Sequence, residues 1–215
     1  MHVFSENDSL VNQFLHELRD ISIQKDRFKF RNNIRKIGEI MAYEISKHLK
    51  YVNRSTRTLM GVAECRVLAS QPVIATVLRA GLPLQDGINR FFDQADLAYI
   101  SAYRHHTSPT EFEIIVEYLA CPDLYGKVLI LTDTMLATGQ SLVMTYEKFL
   151  THGIPSEVHI VSVIGSKSGV DYVRNALPHA KLWIGTIDDS LNEEGYIVPG
   201  LGDAGDLSFG EKMQH

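Results

Sequence analysis

The first 50 residues place apolar side chains at the spacing of amphipathic helices. Asp8 or Ser9 can cap the first helix, because a short polar side chain at that position accepts a backbone hydrogen bond. The predicted apolar faces are Leu10, Phe14, Leu15 and Leu18 on the first helix, and Ile34, Ile37, Met41 and Ile45 on the second. We therefore expect two helices, within residues 1–50, before the first clear strand.

From residue 72 onward, short and continuously apolar runs alternate with segments that can be helical. The apolar runs are residues 72–78, 96–103, 128–131, 158–164 and 181–187. Strands that are apolar throughout are buried on both faces, which is typical of a parallel sheet covered by helices on either side. The pattern predicts an α/β fold with a parallel sheet flanked by helices, and one domain over residues 1–215.

Two segments do not follow this alternation. Residues 51–68 are mixed in character and can form a hairpin that turns near Gly61. In residues 111–118, the apolar side chains of Phe112, Ile114, Val116 and Tyr118 alternate with mostly acidic ones. This period of two indicates a strand with one solvated face. We expect residues 103–120 to form a hairpin arm that projects from the sheet.

The composition limits the classes of partner. With 21 basic and 26 acidic side chains the net charge is −5, so no global positive field attracts nucleic acid or an anionic membrane. No apolar run reaches membrane-spanning length, and the first residues lack the pattern of a signal peptide, so we expect a cytoplasmic protein. Cys65 and Cys121 have no ligand-like spacing, which predicts free thiols.

Near the C-terminus, the stretch YIVPGLGDAGD has glycines in the spacing G-x-G-x-x-G, at Gly200, Gly202 and Gly205. This spacing is the fingerprint of a dinucleotide-binding turn, which requires a βαβ unit and an acidic residue about 20 positions later. Too few residues follow Gly205 for that unit, and Pro199 removes a backbone donor just before the glycines. The sequence therefore argues against a dinucleotide site.

The stretch VLILTDTMLATGQS, residues 128–141, joins an apolar strand to a helix through a small, hydroxyl-rich turn. Backbone amides, the hydroxyls of Thr138 and Ser141, and the positive end of the helix can converge there on one phosphate. No lysine lies in the turn, so it is not a Walker loop. Asp133 suits a sugar phosphate, because it can accept hydrogen bonds from ribose hydroxyls. The alternative is a capped turn without a ligand.

Together with further motifs, these stretches resemble the uracil phosphoribosyltransferase family. The motifs are VLRAG at residues 77–81, Tyr103-Arg104, DTMLATGQS at 133–141 and LNEEGYIVPGLGDAGD at 191–206. The resemblance runs from about residue 18 to residue 210. It implies the type I phosphoribosyltransferase fold, with residues 190–210 as a C-terminal hood over the uracil site. The implied reaction is uracil plus phosphoribosyl pyrophosphate (PRPP) giving UMP and pyrophosphate, a step of pyrimidine salvage, with Mg²⁺ as cofactor.

The same resemblance implies roles for individual residues. Arg79 and Arg104 hold the pyrophosphate and stabilise charge in the transition state, and with Asp203 they are the expected catalytic residues. Residues expected to bind PRPP are Arg79, Arg104, Asp133, Thr134, Met135, Leu136, Ala137, Thr138, Gly139, Gln140, Ser141 and Asp203. Uracil is expected at the backbone of Ile197, Gly202, Asp203 and Ala204. Asp203 is also the expected ligand of Mg²⁺, through water.

The chain departs from the family's pattern at Thr134, at Gln140, at His105 and His106, and in residues 165–169. The last departure puts a GTP effector in doubt, whereas the resemblance favours a homodimer or a higher homo-oligomer. The alternative from another class is a regulator on the same fold that senses uridine nucleotides and binds RNA. It would need basic residues clustered on one face, but after Lys50 they thin out except at the proposed site.

Overall fold

A mainly parallel sheet organises the part of the chain that the computed structural model describes, residues 1–106 and 112–212. For residues 102–106 and 112–115 only the backbone is described. The strands are β1 (His2–Val3), β2 (Tyr51–Arg57), β3 (Val62–Leu68), β4 (Val73–Val77), β5 (Asp96–His106), β6 (Phe112–Ala120), β7 (Val128–Thr132), β8 (Met135–Leu136), β9 (Glu157–Ser166), β10 (Lys181–Asp188), β11 (Ser190–Leu191) and β12 (Ile197–Val198). In the main sheet the order is β1-β10-β9-β7-β4-β5-β6, and β8 pairs with β9. All of these neighbours are parallel except β5 and β6.

Helices connect the strands and cover the sheet. They are α1 (Leu10–Arg19), α2 (Arg27–Ser46), α3 (Leu82–Asn89), α4 (Gln140–Phe149), α5 (Lys167–Ala176) and α6 (Ala204–Phe209). Short 3₁₀ turns at Phe4–Glu6 and Leu150–His152 complete the described elements. None of the helices in the described residues combines the length and the apolar character needed to cross a membrane.

The two faces of the sheet contribute to two separate cores, because consecutive side chains of a strand point to opposite faces. Ile74 packs with the buried side chains of α1, α2 and α3. Its neighbours Val73 and Ala75 pack with those of α4 and α5. The continuously apolar runs are thus strands buried on both sides, which confirms the predicted α/β fold with a parallel sheet flanked by helices.

Both N-terminal helices are confirmed, with one error in the predicted apolar face. Ser9 caps α1 by accepting a hydrogen bond from the Val11 amide, at 3.3 Å. Leu10 does not face the core; it is 67% exposed, whereas Val11, Leu15 and Leu18 are buried. Leu10 begins the helix at the border of its buried stripe, so it extends into solvent. A two-residue strand, β1, also precedes both helices, although two residues are too short for a sequence pattern to identify.

The two irregular segments form antiparallel pairs. β2 and β3 pair over their whole length and turn between Thr58 and Gly61, as expected. β5 and β6 pair with a bulge between Ser101 and Ala102, which confirms the strand predicted from alternating side chains. Residues 107–111, at the tip of the predicted arm, lie outside the described residues. The division into one domain with an N-terminal helical part, an arm and a hood stays a prediction.

A buried histidine lies in β9, near the edge of the sheet where the parallel strands begin. Trp183 Nε1 donates a hydrogen bond to His159 Nδ1 at 2.9 Å, which places the proton of the neutral ring on Nε2. His159 Nε2 then donates to Glu157 Oε1, also at 2.9 Å. Burial lowers the pKa of His159 from 6.5 to about 4, against the opposing effect of Glu157. A second proton would face the Trp183 donor, so the folded protein keeps this ring neutral.

We therefore expect the free energy of unfolding to fall between pH 6.5 and about pH 4, because only the unfolded state gains a proton on His159 in this window. From pH 7 to pH 5 this group should contribute a loss of about 2 kcal/mol. Urea unfolding at a series of pH values measures it. His159→Gln should flatten the dependence, while His16→Gln, at an exposed histidine, should leave it as in the parent. An unchanged slope in His159→Gln would contradict this assignment.

Candidate active site

The candidate active site lies at the edge of the sheet where the parallel strands end. β4 ends at Val77, and Arg79 follows it. β7 ends at Thr132, with Asp133 as the next residue, and β10 ends at Asp188. In α/β sheets, ligands bind beyond the carboxyl ends of the strands. The topology thus brings the predicted pyrophosphate, phosphate and base segments to one edge.

A cavity of about 590 Å³ opens at this edge. Of the predicted site residues, it is lined by Arg79, Asp133, Met135, Asp203 and Ala204. These residues come from three segments that are far apart in the sequence: the turn after β4, the loop after β7 and the start of α6. One cavity therefore joins Arg79, assigned to pyrophosphate, the first part of the segment assigned to PRPP, and two residues assigned to uracil, whereas residues 136–141, Ile197 and Gly202 are not part of its lining.

The turn after β4 and the loop after β7 are bonded to each other. The Thr134 hydroxyl donates to the Ala80 carbonyl at 2.7 Å. The Thr134 carbonyl accepts hydrogen bonds from Val163 at 3.1 Å and from Ile164 at 3.2 Å. Thr134 is fully buried. Its hydroxyl therefore bonds the loop to the neighbouring turn beside Arg79, which gives a structural role to one of the residues at which the sequence departs from the pattern that it resembles.

The phosphate loop, residues 133–141, leads into the N-terminus of α4. Gly139 is the N-cap residue, with φ at +77°, a conformation that favours glycine. The aligned peptides of α4 direct positive potential toward this end. Within the loop, Ala137, Thr138, Gln140 and Ser141 are partly exposed, whereas Leu136 and Gly139 are buried. The partly exposed residues are the ones placed to meet an anion.

Residues at the start of α5 hold the phosphate loop by hydrogen bonds and by close packing. The Ser166 hydroxyl donates to the Ala137 carbonyl at 2.5 Å and accepts from the Gly169 amide at 2.9 Å. A Cβ on Gly169 would lie 2.0 Å from the Ala137 carbonyl oxygen, so only glycine allows this approach. A Cβ on Gly139 would also point at α5, 2.7 Å from the Gly169 carbonyl oxygen. Both glycines therefore allow the phosphate loop to pack closely against α5.

The base loop, residues 197–204, begins with β12, which forms a short antiparallel pair with β11. Gly200 and Gly202 have φ of +62° and +89°, whereas Gly205 lies inside α6. The three glycines of the G-x-G-x-x-G spacing thus serve two different purposes.

The predicted uracil-binding residues occupy different places in this loop. The Ile197 side chain is buried in the core, with β12 paired to β11 at Leu191. Asp203 is exposed and caps α6 by accepting from the Asp206 amide at 2.9 Å. Ala204 is buried, and both Asp203 and Ala204 line the cavity. Gly202 directly precedes these two lining residues in the chain.

Arg79 is engaged by the C-terminal segment in this structure. Its Nη2 lies 3.4 Å from Asp206 Oδ1 and donates to the Gly210 carbonyl at 3.2 Å. The Lys212 amide also donates to Asp206 Oδ1, at 3.2 Å. The Arg79 and Asp206 side chains are 40% and 39% exposed, so the pair is only weakly stabilising and can exchange partners. An anion in the cavity would compete with Asp206 for Arg79.

The second predicted pyrophosphate ligand cannot be placed as a side chain. The backbone of Arg104 pairs with Ile114 across β5 and β6. The side chains of Arg104, His105 and His106 lie outside the described residues. Their roles stay predictions.

The sequence interpretation missed Asp206 and Ser166. Asp206 could have been found, because the third residue after an N-cap returns to the side of the cap, next to Asp203. Ser166 could not have been found in the same way, since it contacts a carbonyl 29 residues earlier in the chain. Its position at the end of β9, beside the end of β8, creates the contact.

Comparisons of sequence agree with this arrangement. A family model described as uracil phosphoribosyltransferase matches residues 5–211. A uracil phosphoribosyltransferase of Porphyromonas gingivalis (strain W83) is 48% identical over 214 residues, 99% of each chain. That of Pyrococcus furiosus is 34% identical over 216 residues, 99% of this chain and 91% of the relative. The similarity therefore includes the phosphate loop, the base loop and the N-terminal helices.

Comparisons of structure give the same fold. The AQ2163 protein from Aquifex aeolicus superposes with a TM-score of 0.85 at 26% identity, over 95% of this chain and 96% of that chain. A hypoxanthine phosphoribosyltransferase from Staphylococcus aureus has a TM-score of 0.52 at 12% identity, over 83% and 82% of the two chains. The second likeness concerns the fold alone, which is that of the type I phosphoribosyltransferases.

The packing of Gly139 on α5 generates a prediction for phosphate binding. We expect Gly139→Ala to weaken the affinity for PRPP, the ligand that the family resemblance implies, at least tenfold, or about 1.4 kcal/mol. The reason is that the new methyl group must displace α5 and also occupies a strained φ of +77°. Titration calorimetry measures the affinity.

Gly126→Ala is the matched control, because Gly126 also has a positive φ, +69°, but its Cβ would meet no atom within 4 Å. Gly126→Ala should lower the free energy of unfolding through backbone strain, but its affinity for PRPP should equal that of the parent. If the folded Gly139→Ala variant binds PRPP with the affinity of the parent, the phosphate of PRPP does not bind at residues 133–141.

Proposed function

The chain belongs to the uracil phosphoribosyltransferase family, and from this premise we propose that it transfers the phosphoribosyl group of PRPP to uracil, forming UMP and pyrophosphate. The reaction makes it a pentosyltransferase of pyrimidine salvage. The observation that carries the proposal is the single cavity that joins Arg79, Asp133 and Asp203 from three distant segments. The proposal for each substrate group rests on the geometry of these segments.

We assign the ribose 5-phosphate to the phosphate loop. A phosphate there would meet the backbone amides and hydroxyls of the partly exposed residues Ala137, Thr138, Gln140 and Ser141, and the positive end of α4. Asp133, the first residue of the loop, lines the cavity, where it can accept hydrogen bonds from the ribose hydroxyls. Thr134 and Leu136, which are buried, would contribute by holding the loop in shape rather than by contact.

The pyrophosphate group would lie at Arg79, with Arg104 as the second cation. As the bond between the ribose anomeric carbon and the pyrophosphate oxygen breaks, negative charge builds on the leaving group and positive charge on the ribose. A guanidinium group already fixed in the site stabilises the former. Both present contacts of Arg79, with Asp206 and with the Gly210 carbonyl, are made by its Nη2 atom. Arg79 would give up these two contacts on binding the pyrophosphate. No enzyme nucleophile is needed for this step.

The residues around the cavity fit a need for Mg²⁺. Among the described side chains, four carboxylates, those of Glu117, Asp133, Asp203 and Asp206, line it together with two basic groups, those of Arg79 and Lys212. A cavity with this excess of negative charge disfavours a polyanion such as PRPP, unless a cation accompanies it. Mg²⁺ prefers oxygen ligands, keeps several waters and commonly binds through substrate phosphates.

Asp203 is the residue we propose to hold Mg²⁺, through water. Its carboxylate is exposed at the cavity. In the described residues, no group of three or more His, Cys, Asp or Glu side chains could hold a metal ion by itself. This fits an ion that arrives with the substrate, where it would neutralise charge on the pyrophosphate. We propose no GTP effector, and a homo-oligomeric assembly remains an expectation from the family.

Uracil would be read by the backbone of the base loop. Its ring presents two carbonyl acceptors on either side of one NH donor, so peptide NH and C=O groups can satisfy all three. The positive φ values of Gly200 and Gly202 direct the peptides of this loop in ways that other residues rarely adopt. Asp203 and Ala204 line the cavity, with Ile197 and Gly202 as the other proposed contributors.

The activity test separates this function from the alternative, a regulator that binds RNA, to which the comparisons lend no support. Purified protein with Mg²⁺, uracil and PRPP should form UMP and release pyrophosphate, both measurable by chromatography. Without PRPP no UMP should form. Tight, sequence-specific RNA binding without UMP formation would establish the regulator instead.

Backbone reading predicts a strong preference for uracil over cytosine. Cytosine has an amino donor in place of one carbonyl and an unprotonated ring nitrogen in place of the NH, so two peptide groups would lose their partners. Each buried unpaired group costs roughly 1–3 kcal/mol, which gives discrimination on the order of several hundredfold in kcat/KM. Similar kcat/KM values for the two bases would contradict backbone reading.

Measurements of the KM for uracil can test whether the base loop binds uracil. Gly202→Ala should raise the KM for uracil, because a side chain is strained at its φ of +89° although its Cβ has room. Gly195→Ala is the control for backbone strain: Gly195 has a φ of +84° and its Cβ would meet no atom within 4 Å, whereas that of Gly202 would make an ordinary contact with Leu207 at 3.5 Å; Gly195 lies before β12, so its variant should keep the uracil KM of the parent.

A further inference from the structure

A largely buried ion pair lies next to the base loop. Arg19, the last residue of α1, donates from Nη1 to Asp188 Oδ2 at 2.8 Å and from Nη2 to Asp188 Oδ1 at 2.7 Å. The two residues are 169 positions apart, and Asp188 is the last residue of β10. Only 7% of the Asp188 side chain is exposed. The pair thus joins the N-terminal helix to the sheet through a two-point contact.

The same two side chains hold both polar groups of Gly200. The Gly200 amide donates to Asp188 Oδ2 at 2.8 Å, and the Gly200 carbonyl accepts from Arg19 Nη1 at 3.3 Å. A third side chain holds the next residue, because Gln24 Nε2 donates to the Leu201 carbonyl at 3.3 Å. Gln24 also bonds the Leu18 carbonyl at 2.9 Å, which anchors it at the end of α1.

These contacts fix the peptides next to the ones that would read uracil. Gly200 and Leu201 directly precede Gly202, and a Cβ on Gly200 would lie 2.0 Å from the Ile197 carbonyl oxygen. The chain turns sharply here with little room to adjust. A loop that reads its ligand by backbone has no side-chain rotamer to correct an error in peptide orientation. The orientation must therefore come from contacts outside the loop.

Stability alone does not explain the choice of a buried ion pair. Desolvating two charges costs about as much as their attraction returns, and an apolar pair of similar size is often as stable. A carboxylate that accepts from both a guanidinium and a peptide NH sets a direction as well as a distance. This use of charge suits a loop whose orientation matters.

We propose that Arg19, Asp188 and Gln24 are positioning residues for uracil, acting through Gly200 and Leu201 without touching the base. The inference rests on the proposed function, in which residues 197–204 read uracil. It assigns to the end of α1, outside both the phosphate loop and the base loop, a role in base affinity. PRPP, bound beyond β4 and β7, should be affected little.

Asp188→Asn tests this role, because an amide keeps the size of the side chain but turns an NH₂ group or a neutral oxygen toward Arg19. We expect the KM for uracil to rise at least tenfold, with kcat at saturating uracil and the affinity for PRPP each within threefold of the parent. Glu39→Gln is the matched control at the exposed Glu39–Arg90 pair, and it should change none of these values.

A second pair of variants separates positioning from a general loss of structure. In Arg19→Gln/Asp188→Asn, the two new amides can pair with each other while the amide oxygen at position 188 still accepts from Gly200. The double variant should therefore recover part of the uracil affinity lost in Asp188→Asn. Gln24→Met removes only the neutral contact to Leu201 and the anchor on α1. It should raise the uracil KM at least threefold, even if Asp188→Asn fails to fold.

The outcomes distinguish this inference from the proposed function. If the parent protein forms no UMP, the proposed function fails and the inference with it. If the parent forms UMP but the folded Asp188→Asn or Gln24→Met variants keep its uracil KM within twofold, the positioning role alone is overturned. Equal losses of uracil and PRPP affinity would also overturn it, since they would indicate a structural role only.

Discussion

The common direction of the parallel strands is the constraint on which the site depends. Because β4, β7, β9 and β10 all end at one edge, the residues that follow them meet there. The same edge then lets each loop be supported by its neighbour: Thr134 bonds Ala80, and Ser166 bonds Ala137. The loops thus gain their shape from contacts with neighbouring segments at this edge of the sheet.

Charge is the second constraint, because the carboxylates of the cavity oppose the binding of an anion as long as Arg79 is paired with Asp206. The cavity wall holds more carboxylates than basic groups among the described residues, and Arg79 is bonded to one of them, Asp206. In the function proposed above, a polyanion binds there. In the proposed function, Mg²⁺ and the release of Arg79 from Asp206 would both shift the balance toward binding, and because that ion pair is half exposed, the exchange would cost little free energy.

The sequence could predict the parts of this structure that depend on local patterns. Buried strands, capped helices and the phosphate loop follow from periodicity, from Ser9 and from the glycines. It could not predict contacts between distant residues. From the sequence alone, Arg19 is a polar residue at the end of a helix, and Asp188 is one of two acidic residues at the end of a strand. The contacts of both side chains with Gly200 follow only from the fold. The error at Leu10 has a similar origin, since the edge of a buried stripe is set by tertiary packing.

The claim that the phosphate loop and the base loop form one site is tested most directly by locating UMP on the protein. Amide hydrogen exchange, followed by mass spectrometry with and without UMP, reports on both loops at once. The account predicts slower exchange in residues 137–141 and in residues 200–205 together. Protection at the separate cavity lined by Arg31 and Arg35, with both loops unchanged, would contradict it.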